Sequence, residues 1–397
     1  QAFCSLEFSL VHLRGSALAM SLPDEVDVLT SSLRADGSFI DFALSKKPMP
    51  QIEKANEILV RMEATPINPS DLGVIFGAAN RQAATQGKPY MISAPVPPKV
   101  LKLMKKTPYG TDRTPDGIVP GNEGSGIVVA AGSDQQAQAM IGKTVAVYGN
   151  GGCYASFRKI KVGNAVNVMP DGVSPQQAAC SFINPLTALG FVHTLTSTGH
   201  SALVHTAAAS QLGQMLLRIC IKDGIPLINI IRKPEQAALL RKINPNAICI
   251  DQTSPTFVEE LAKEIKQVNA TLAFDATGGG SLSSQILTAF EAAGQTRDGI
   301  QCYHYGMLDL TPSTLTSEQR AKTSFWLLPN WQMQNRAKWV EHMQRVSKEI
   351  TTTFKTDFCA QVGMAQAVTL PALQVYGQQA TGQKYLLNPQ KAVASKL

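Results

Sequence analysis

The chain has 397 residues, 44% of them hydrophobic and 16% charged, with a formal net charge of +7. That length exceeds what one hydrophobic core ordinarily fills, so two domains are expected. The positive charge is mild and diffuse, suited to anionic ligands such as phosphates. Without a basic groove interleaved with aromatics it makes no case for nucleic acid, and no apolar run approaches the roughly 20 residues of a membrane span.

Residues 1–19 are mostly small and apolar, and Met20 would start a shorter product. They read as an extension or the remnant of a targeting peptide. From Glu57, Ile58, Val60, Met62 and Ala64 alternate with Leu59, Arg61 and Glu63, the period of a strand with one buried face, which Pro66 and Pro69 end. Residues 78–119 are rich in Pro, Gly and Lys and are expected to form either a surface excursion or a lid, with a short amphipathic turn at Val100–Lys106. Further strand signals lie at Gly126–Ala131 and Lys143–Tyr148.

From about Ser201 the rhythm becomes strand, helix, strand. Ala202–His205 is a short buried strand, and Leu212, Met215, Leu216 and Ile219 follow at helical spacing up to Gly224, a left-handed cap. Leu227–Ile231, a helix opened by Pro234, Ala247–Ile250, a helix over 256–267, Leu272–Asp275, Gly278-Gly279-Gly280 and Ile300–Tyr305 continue the pattern. Repeated units of this kind give an α/β fold with a parallel, doubly wound sheet.

In such sheets a dinucleotide binds at the first strand-to-helix turn, here Thr206-Ala207-Ala208-Ala209-Ser210-Gln211-Leu212-Gly213. Ala208, Ser210, Gln211 and Gly213 are the candidate pyrophosphate residues: small side chains admit the phosphates and helix N–H groups meet their charge. Only Gly213 fills a position of the Gly-x-Gly-x-x-Gly fingerprint. The second strand ends in Arg232-Lys233, roughly 20 residues on, where an NAD site would place an acid. A guanidinium there suits a 2′-phosphate, which makes NADP(H) the expected cofactor.

Asn68-Pro69-Ser70-Asp71, Gly121-Asn122-Glu123-Gly124, Asn184-Pro185-Leu186-Thr187-Ala188, Asn229-Ile230-Ile231-Arg232 and Tyr305-Gly306 occur in that order. From Glu57 to Leu387 the chain resembles the zinc-free medium-chain dehydrogenase/reductases, the quinone oxidoreductases and mitochondrial 2-enoyl thioester reductases. The resemblance implies a GroES-like β-rich catalytic domain (20–180 and 330–397) interrupted by a Rossmann domain (181–329), and a homodimer. It places Asn68 and Thr187 near the nicotinamide, Tyr305 and Gly306 near the pyrophosphate or ribose, and Trp326 at the cleft mouth; Glu123 would be a structural carboxylate. Zinc-dependent relatives carry Gly-His-Glu where this chain has Gly121-Asn122-Glu123, and an amide is a poor zinc ligand beside an imidazole. No metal is therefore expected. Enoyl thioester reductases of this type have a tyrosine shortly after the Asn-Pro-Ser-Asp motif, whereas Gly77-Ala78-Ala79-Asn80 stands here; Tyr90 and Tyr109 are the candidates to fold back as proton donor.

The expected activity is hydride transfer from NADPH to a quinone or an α,β-unsaturated carbonyl. The alternative is a catalytically weak NADPH-binding scaffold or accessory subunit of a larger organellar assembly. Seven scattered cysteines without a Cys-x-x-Cys pair point to reduced thiols inside the cell, with Cys153 and Cys180 read as buried and inert. Ser395-Lys396-Leu397 is a peroxisomal address where it is the true C-terminus, and a mitochondrial presequence is the rival.

Overall fold

The computed structural model describes residues 22–87, 89–99, 101, 117–149, 151–296 and 299–391. Residues 1–19, Tyr109 and Ser395-Lys396-Leu397 lie outside them. Strands β1 (Glu25–Leu33) and β2 (Phe39–Pro48) pair antiparallel across Asp36-Gly37. β3 (Glu57–Pro66) is the strand of the period-two pattern, and it buries Ile58, Val60, Met62 and Ala64. Pro69 ends the extended run and takes the favoured first position of helix α1 (Pro69–Phe76). The Pro- and Gly-rich stretch that follows departs from expectation. Its first half is a hairpin, β4 (Thr85–Gly87) and β5 (Met91–Pro95), which completes a four-stranded sheet in the order β1-β2-β5-β4. Ile92 and Ala94 bury against β2, so the stretch is held by long-range pairing that its composition conceals.

β6 (Glu123–Ala131), β7 (Thr144–Tyr148), β8 (Phe157–Lys161) and β9 (Val166–Val168) build a second sheet around β3. Helix α2 (Ile183–Ser197) then leads out of the β-rich domain. The segment Pro175–Ser197 is 23 residues long and apolar enough to cross a membrane by length and composition, contrary to the sequence expectation. It is apolar because it is a core helix, 83% buried inside the protein.

Six parallel strands follow: β10 (Leu203–His205), β11 (Leu227–Ile231), β12 (Ile248–Asp251), β13 (Leu272–Asp275), β14 (Gln301–His304) and β15 (Thr323–Phe325). Their order β12-β11-β10-β13-β14-β15 is that of the dinucleotide-binding folds, with the reversal between β10 and β13. Helix α3 (Gln211–Asp223) buries the expected Leu212, Met215, Leu216 and Ile219 and ends on left-handed Gly224. Helix α4 (Pro234–Ile243) opens on its proline.

Helices α5 (Phe257–Val268) and α6 (Leu282–Ala292) cover one face of the sheet. On the other, α7 (Leu328–Gln334) and α8 (Arg336–Glu349) share a core with α2 and α3: Trp331, Trp339, Met343 and Val346 pack with Leu186, Phe191, Leu212 and Leu216. A domain boundary at 329/330 would cut through this layer. The return to the β-rich domain comes instead with β16 (Ala360–Gly363) and β17 (Tyr385–Asn388), which extend its sheet to β16-β17-β3-β6-β7-β9, with β8 also on β3.

Candidate active site

The carboxyl ends of β10 and β13 meet at the reversal point, and a carboxylate fastens them together. Asp275 accepts from Thr206 Oγ1 (2.8 Å), Thr277 N–H (3.0 Å), Gly278 N–H (3.0 Å) and Ser283 Oγ (2.8 Å). Burial opposes its ionisation, but these donors outweigh it and hold the carboxyl below its ordinary range. Thr206 Oγ1 in turn accepts from Ala276 N–H at 2.8 Å, so both turns are fixed before any ligand arrives.

The phosphate turn runs from that anchor into α3. Ala207 adopts φ +50°, a left-handed conformation uncommon for a residue with a Cβ. Gly213 is required sterically: a Cβ there would stand 2.1 Å from Ala208 O. Ser210 caps the helix by accepting Gly213 N–H at 3.1 Å. The Gln211 amide brackets the backbone of Asp357, donating to its O (3.1 Å) and accepting from its N–H (3.3 Å). The Gln211 amide is engaged there, whereas the Ser210 hydroxyl, which only accepts in its cap, keeps its own O–H to donate; among the described residues the N–H groups of Gln211 and Leu212 are also open, at a helix N-terminus. Arg232 and Lys233 follow β11, both exposed and in no salt bridge among the described residues. Arg232 N–H donates to Gln236 Oε1 (2.8 Å), which shapes the turn and leaves the guanidinium open.

Tyr305 follows β14 beside the Asp275 anchor, its N–H donating to Asp275 O at 3.0 Å, whereas Trp326 departs from the sequence reading. Tyr305 Oη is 2.8 Å from His205 Nε2, with the rings stacked 5.6 Å apart. Burial drives the His205 imidazole down to about 3, so it is neutral, and burial also raises the phenol. The Tyr305 hydroxyl thus closes a pair inside the nucleotide-binding domain, while Gly306 packs on the Ala276 turn. Trp326 is buried, and its Nε1–H donates to Thr194 Oγ1 at 3.0 Å. It is a core ring against α2, not a cleft residue.

Asn68 sits at the N-cap of α1 without capping it. Asp71 reaches back to Asn68 N–H (2.8 Å) and also accepts Asn122 N–H (2.9 Å). The Asn68 amide turns the other way, donating from Nδ2 to Glu123 Oε1 at 2.9 Å and accepting at Oδ1 from Lys384 Nζ. The second oxygen of Glu123 accepts the N–H groups of Phe182 (2.9 Å) and Ile183 (3.0 Å), the start of α2. Glu123 therefore ties Asn68 to the start of α2, and Thr187 lies one turn along that helix, buried. Burial raises the Glu123 carboxyl, opposed by the charge of Lys384.

Tyr90 takes no part in these hydrogen bonds. It lies in the turn before β5 with φ +49° and packs against the core under the first sheet. Among the described residues no three His, Cys, Asp or Glu gather in a metal-binding arrangement. Cys153 and Cys180 are buried, and burial pushes their thiols up to about 11 and about 12. Lys384 is the residue that sequence reasoning missed; its only local signal is a lone cation opening an apolar strand.

Burial also pushes the Asp71 carboxyl up to about 6. Its folded value lies above its unfolded one, so its cost is absent below about pH 4 and complete above about pH 6. Asp71→Asn should therefore gain stability relative to wild type as the pH rises through that window. Urea denaturation at several pH values measures the difference, and a constant difference would contradict the assignment.

Residues 54–173 match the alcohol dehydrogenase GroES-like domain. That domain, joined to a doubly wound parallel sheet, makes the chain similar to the medium-chain dehydrogenase/reductases. Within this group it is 22% identical over 325 residues to the mitochondrial enoyl-[acyl-carrier-protein] reductase of Xenopus tropicalis, covering 80% of each chain. It is 25% identical to the Arabidopsis thaliana enzyme of the same name, over 70% of this chain and 67% of that one. The fold matches Escherichia coli quinone oxidoreductase complexed with NADPH, with a TM-score of 0.64 at 19% identity, over 92% of this chain and 100% of the other.

Proposed function

We propose that the chain is a medium-chain dehydrogenase/reductase, an NADPH-dependent reductase of quinones or of α,β-unsaturated carbonyl compounds that works without zinc. The carrying observation is the open pair Arg232-Lys233 at the end of the second strand, together with a helix N-terminus that Gly213 lets pack closely on the Ala208 backbone. The Gln211 and Leu212 N–H groups would hold the pyrophosphate, and Arg232 and Lys233 the 2′-phosphate. Bound NADPH would supply a hydride. The protein's part is orientation and exclusion of water around Asn68 and Thr187. Asn122 supports the zinc-free reading: its backbone binds Asp71 and its amide donates to Ser70 Oγ (3.3 Å), with no imidazole at that position.

The test follows NADPH absorbance with the full chain against a panel of quinones, alkenals and enoyl thioesters. Turnover on one class supports the reading and names the substrate. Binding of NADPH without turnover on any would favour a scaffold instead. The mitochondrial relatives favour a mitochondrial setting over the peroxisomal one.

A homodimer is part of the proposal. Among the described residues β15 pairs with β14 alone, and Phe325 in it, Met307 and Leu310 before it and Met333 after it are each at least 64% exposed. Apolar surface beside an unpaired edge strand calls for a partner, and a two-fold copy is self-complementary. Phe325→Glu should shift the chain from dimer to monomer in sedimentation equilibrium. A monomeric wild type would refute this part alone.

A further inference from the structure

The strand register puts Lys384 opposite Asn68. β17 runs antiparallel to the end of β3, with Leu387 facing Thr65 and Leu386 facing Pro66, and Ile67 N–H donates to Tyr385 O at 3.1 Å. One further step brings Lys384 level with Asn68, where Nζ donates to Oδ1. The amide lies between an ammonium that only donates and a carboxylate that only accepts, which fixes its orientation. Asn68 and Glu123 are buried, whereas Lys384 is half-buried. The accessible end of the chain of contacts is its cation.

Two contacts set that cation at the domain junction. Gln236 Nε2, from the first turn of α4, donates to Thr381 Oγ1 at 3.0 Å. Gln211, at the N-terminus of α3, brackets Asp357. Lys384 stands between these points, its carbonyl accepting Cys359 N–H at 3.0 Å. The segment that carries it is thereby tied to α3 and α4, the helices that follow the proposed nucleotide turns.

Resting on the reading of this junction as the substrate cleft, we infer that Lys384 is the electrophilic group of the site, binding the substrate's carbonyl oxygen and stabilising the negative charge that oxygen gains. An ammonium has three N–H donors, and Asn68 Oδ1 engages one. Hydride addition forms a C–H bond at the β-carbon of the unsaturated carbonyl. The C=C pair moves to join the α-carbon and the carbonyl carbon, and the carbonyl π pair moves onto oxygen. The substrate gains two electrons, the nicotinamide loses them, and the resulting enolate oxygen faces Lys384. The α-carbon then takes a proton from water. Charge stabilisation of this kind needs no metal and no phenol.

The probe is para-nitrophenol, whose phenolate mimics the enolate and reports its own ionisation by absorbance. Titrated against the full chain at several pH values, the bound probe should ionise about one pH unit lower in wild type than in Lys384→Met. Lys384→Arg should keep most of that shift, and both variants should bind NADPH within about twofold of wild type, read by cofactor fluorescence, because Lys384 is not among the phosphate residues. Should Lys384→Met not fold, Lys384→Gln replaces it. A probe that does not bind wild type, or ionises alike in wild type and the uncharged variant, overturns the inference. NADPH failing to bind wild type would sink the cofactor reading and leave the phenolate result standing on its own.

Discussion

Replacing Arg232 with glutamate is expected to weaken NADPH binding by about 30-fold or more, while NADH binding changes by no more than about threefold. The asymmetry follows from where the side chain stands. Arg232 is exposed at the end of β11, and its backbone N–H, not its guanidinium, makes the turn with Gln236. The substitution therefore leaves the fold alone and alters only the charge offered to a phosphate on the adenosine ribose. A glutamate there would repel that phosphate and accept from a ribose hydroxyl, the pattern of NAD sites. Fluorescence titration with both cofactors checks it. Equal losses for the two would mean that Arg232 does not read the 2′ position, and Lys233→Glu would be the next variant to measure.

The parallel sheet was legible because its units are local. A buried strand, a helix of 3.6 periodicity and a short crossover recur within a few tens of residues, and each leaves its own pattern. Arg232 was legible for the same reason, since its position is counted along one such unit. What the sequence concealed is long-range. Lys384 meets Asn68 across 316 residues, through the pairing of a C-terminal strand with β3. No periodicity in either segment encodes that register.

The β1–β2 hairpin did carry a local signal, Asp36-Gly37 between two alternating runs, which reads as a hairpin once it is sought. The partners of single side chains were hidden for another reason. Tyr305 and Trp326 have polar atoms that suit a ligand equally well, and only the fold supplies His205 and Thr194 as their partners. An aromatic ring that is amphipathic in sequence is resolved as core or site only by what surrounds it.

Gly213→Ala is expected to cost about 2–3 kcal/mol of stability and to abolish measurable NADPH binding, a large effect for one methyl group. The added Cβ would stand 2.1 Å from Ala208 O and 2.8 Å from Ala208 Cα, and both are backbone atoms that no rotamer change can move aside. The turn is also pinned on both sides, by Asp275 through Thr206 and by Gln211 through Asp357. Relief must come from moving the N-terminus of α3, which carries the N–H groups proposed for the pyrophosphate, so stability and binding should fall together. Gly73→Ala supplies the contrast. That glycine lies within α1, exposed, with nothing within 4 Å of its would-be Cβ, so alanine should stabilise by about 0.5–1 kcal/mol and leave NADPH affinity unchanged. Urea denaturation and fluorescence titration of both variants decide the matter. A Gly213→Ala protein as stable as wild type, or one that still binds NADPH, would mean that this turn yields and that the close packing of helix on loop is not what forms the site.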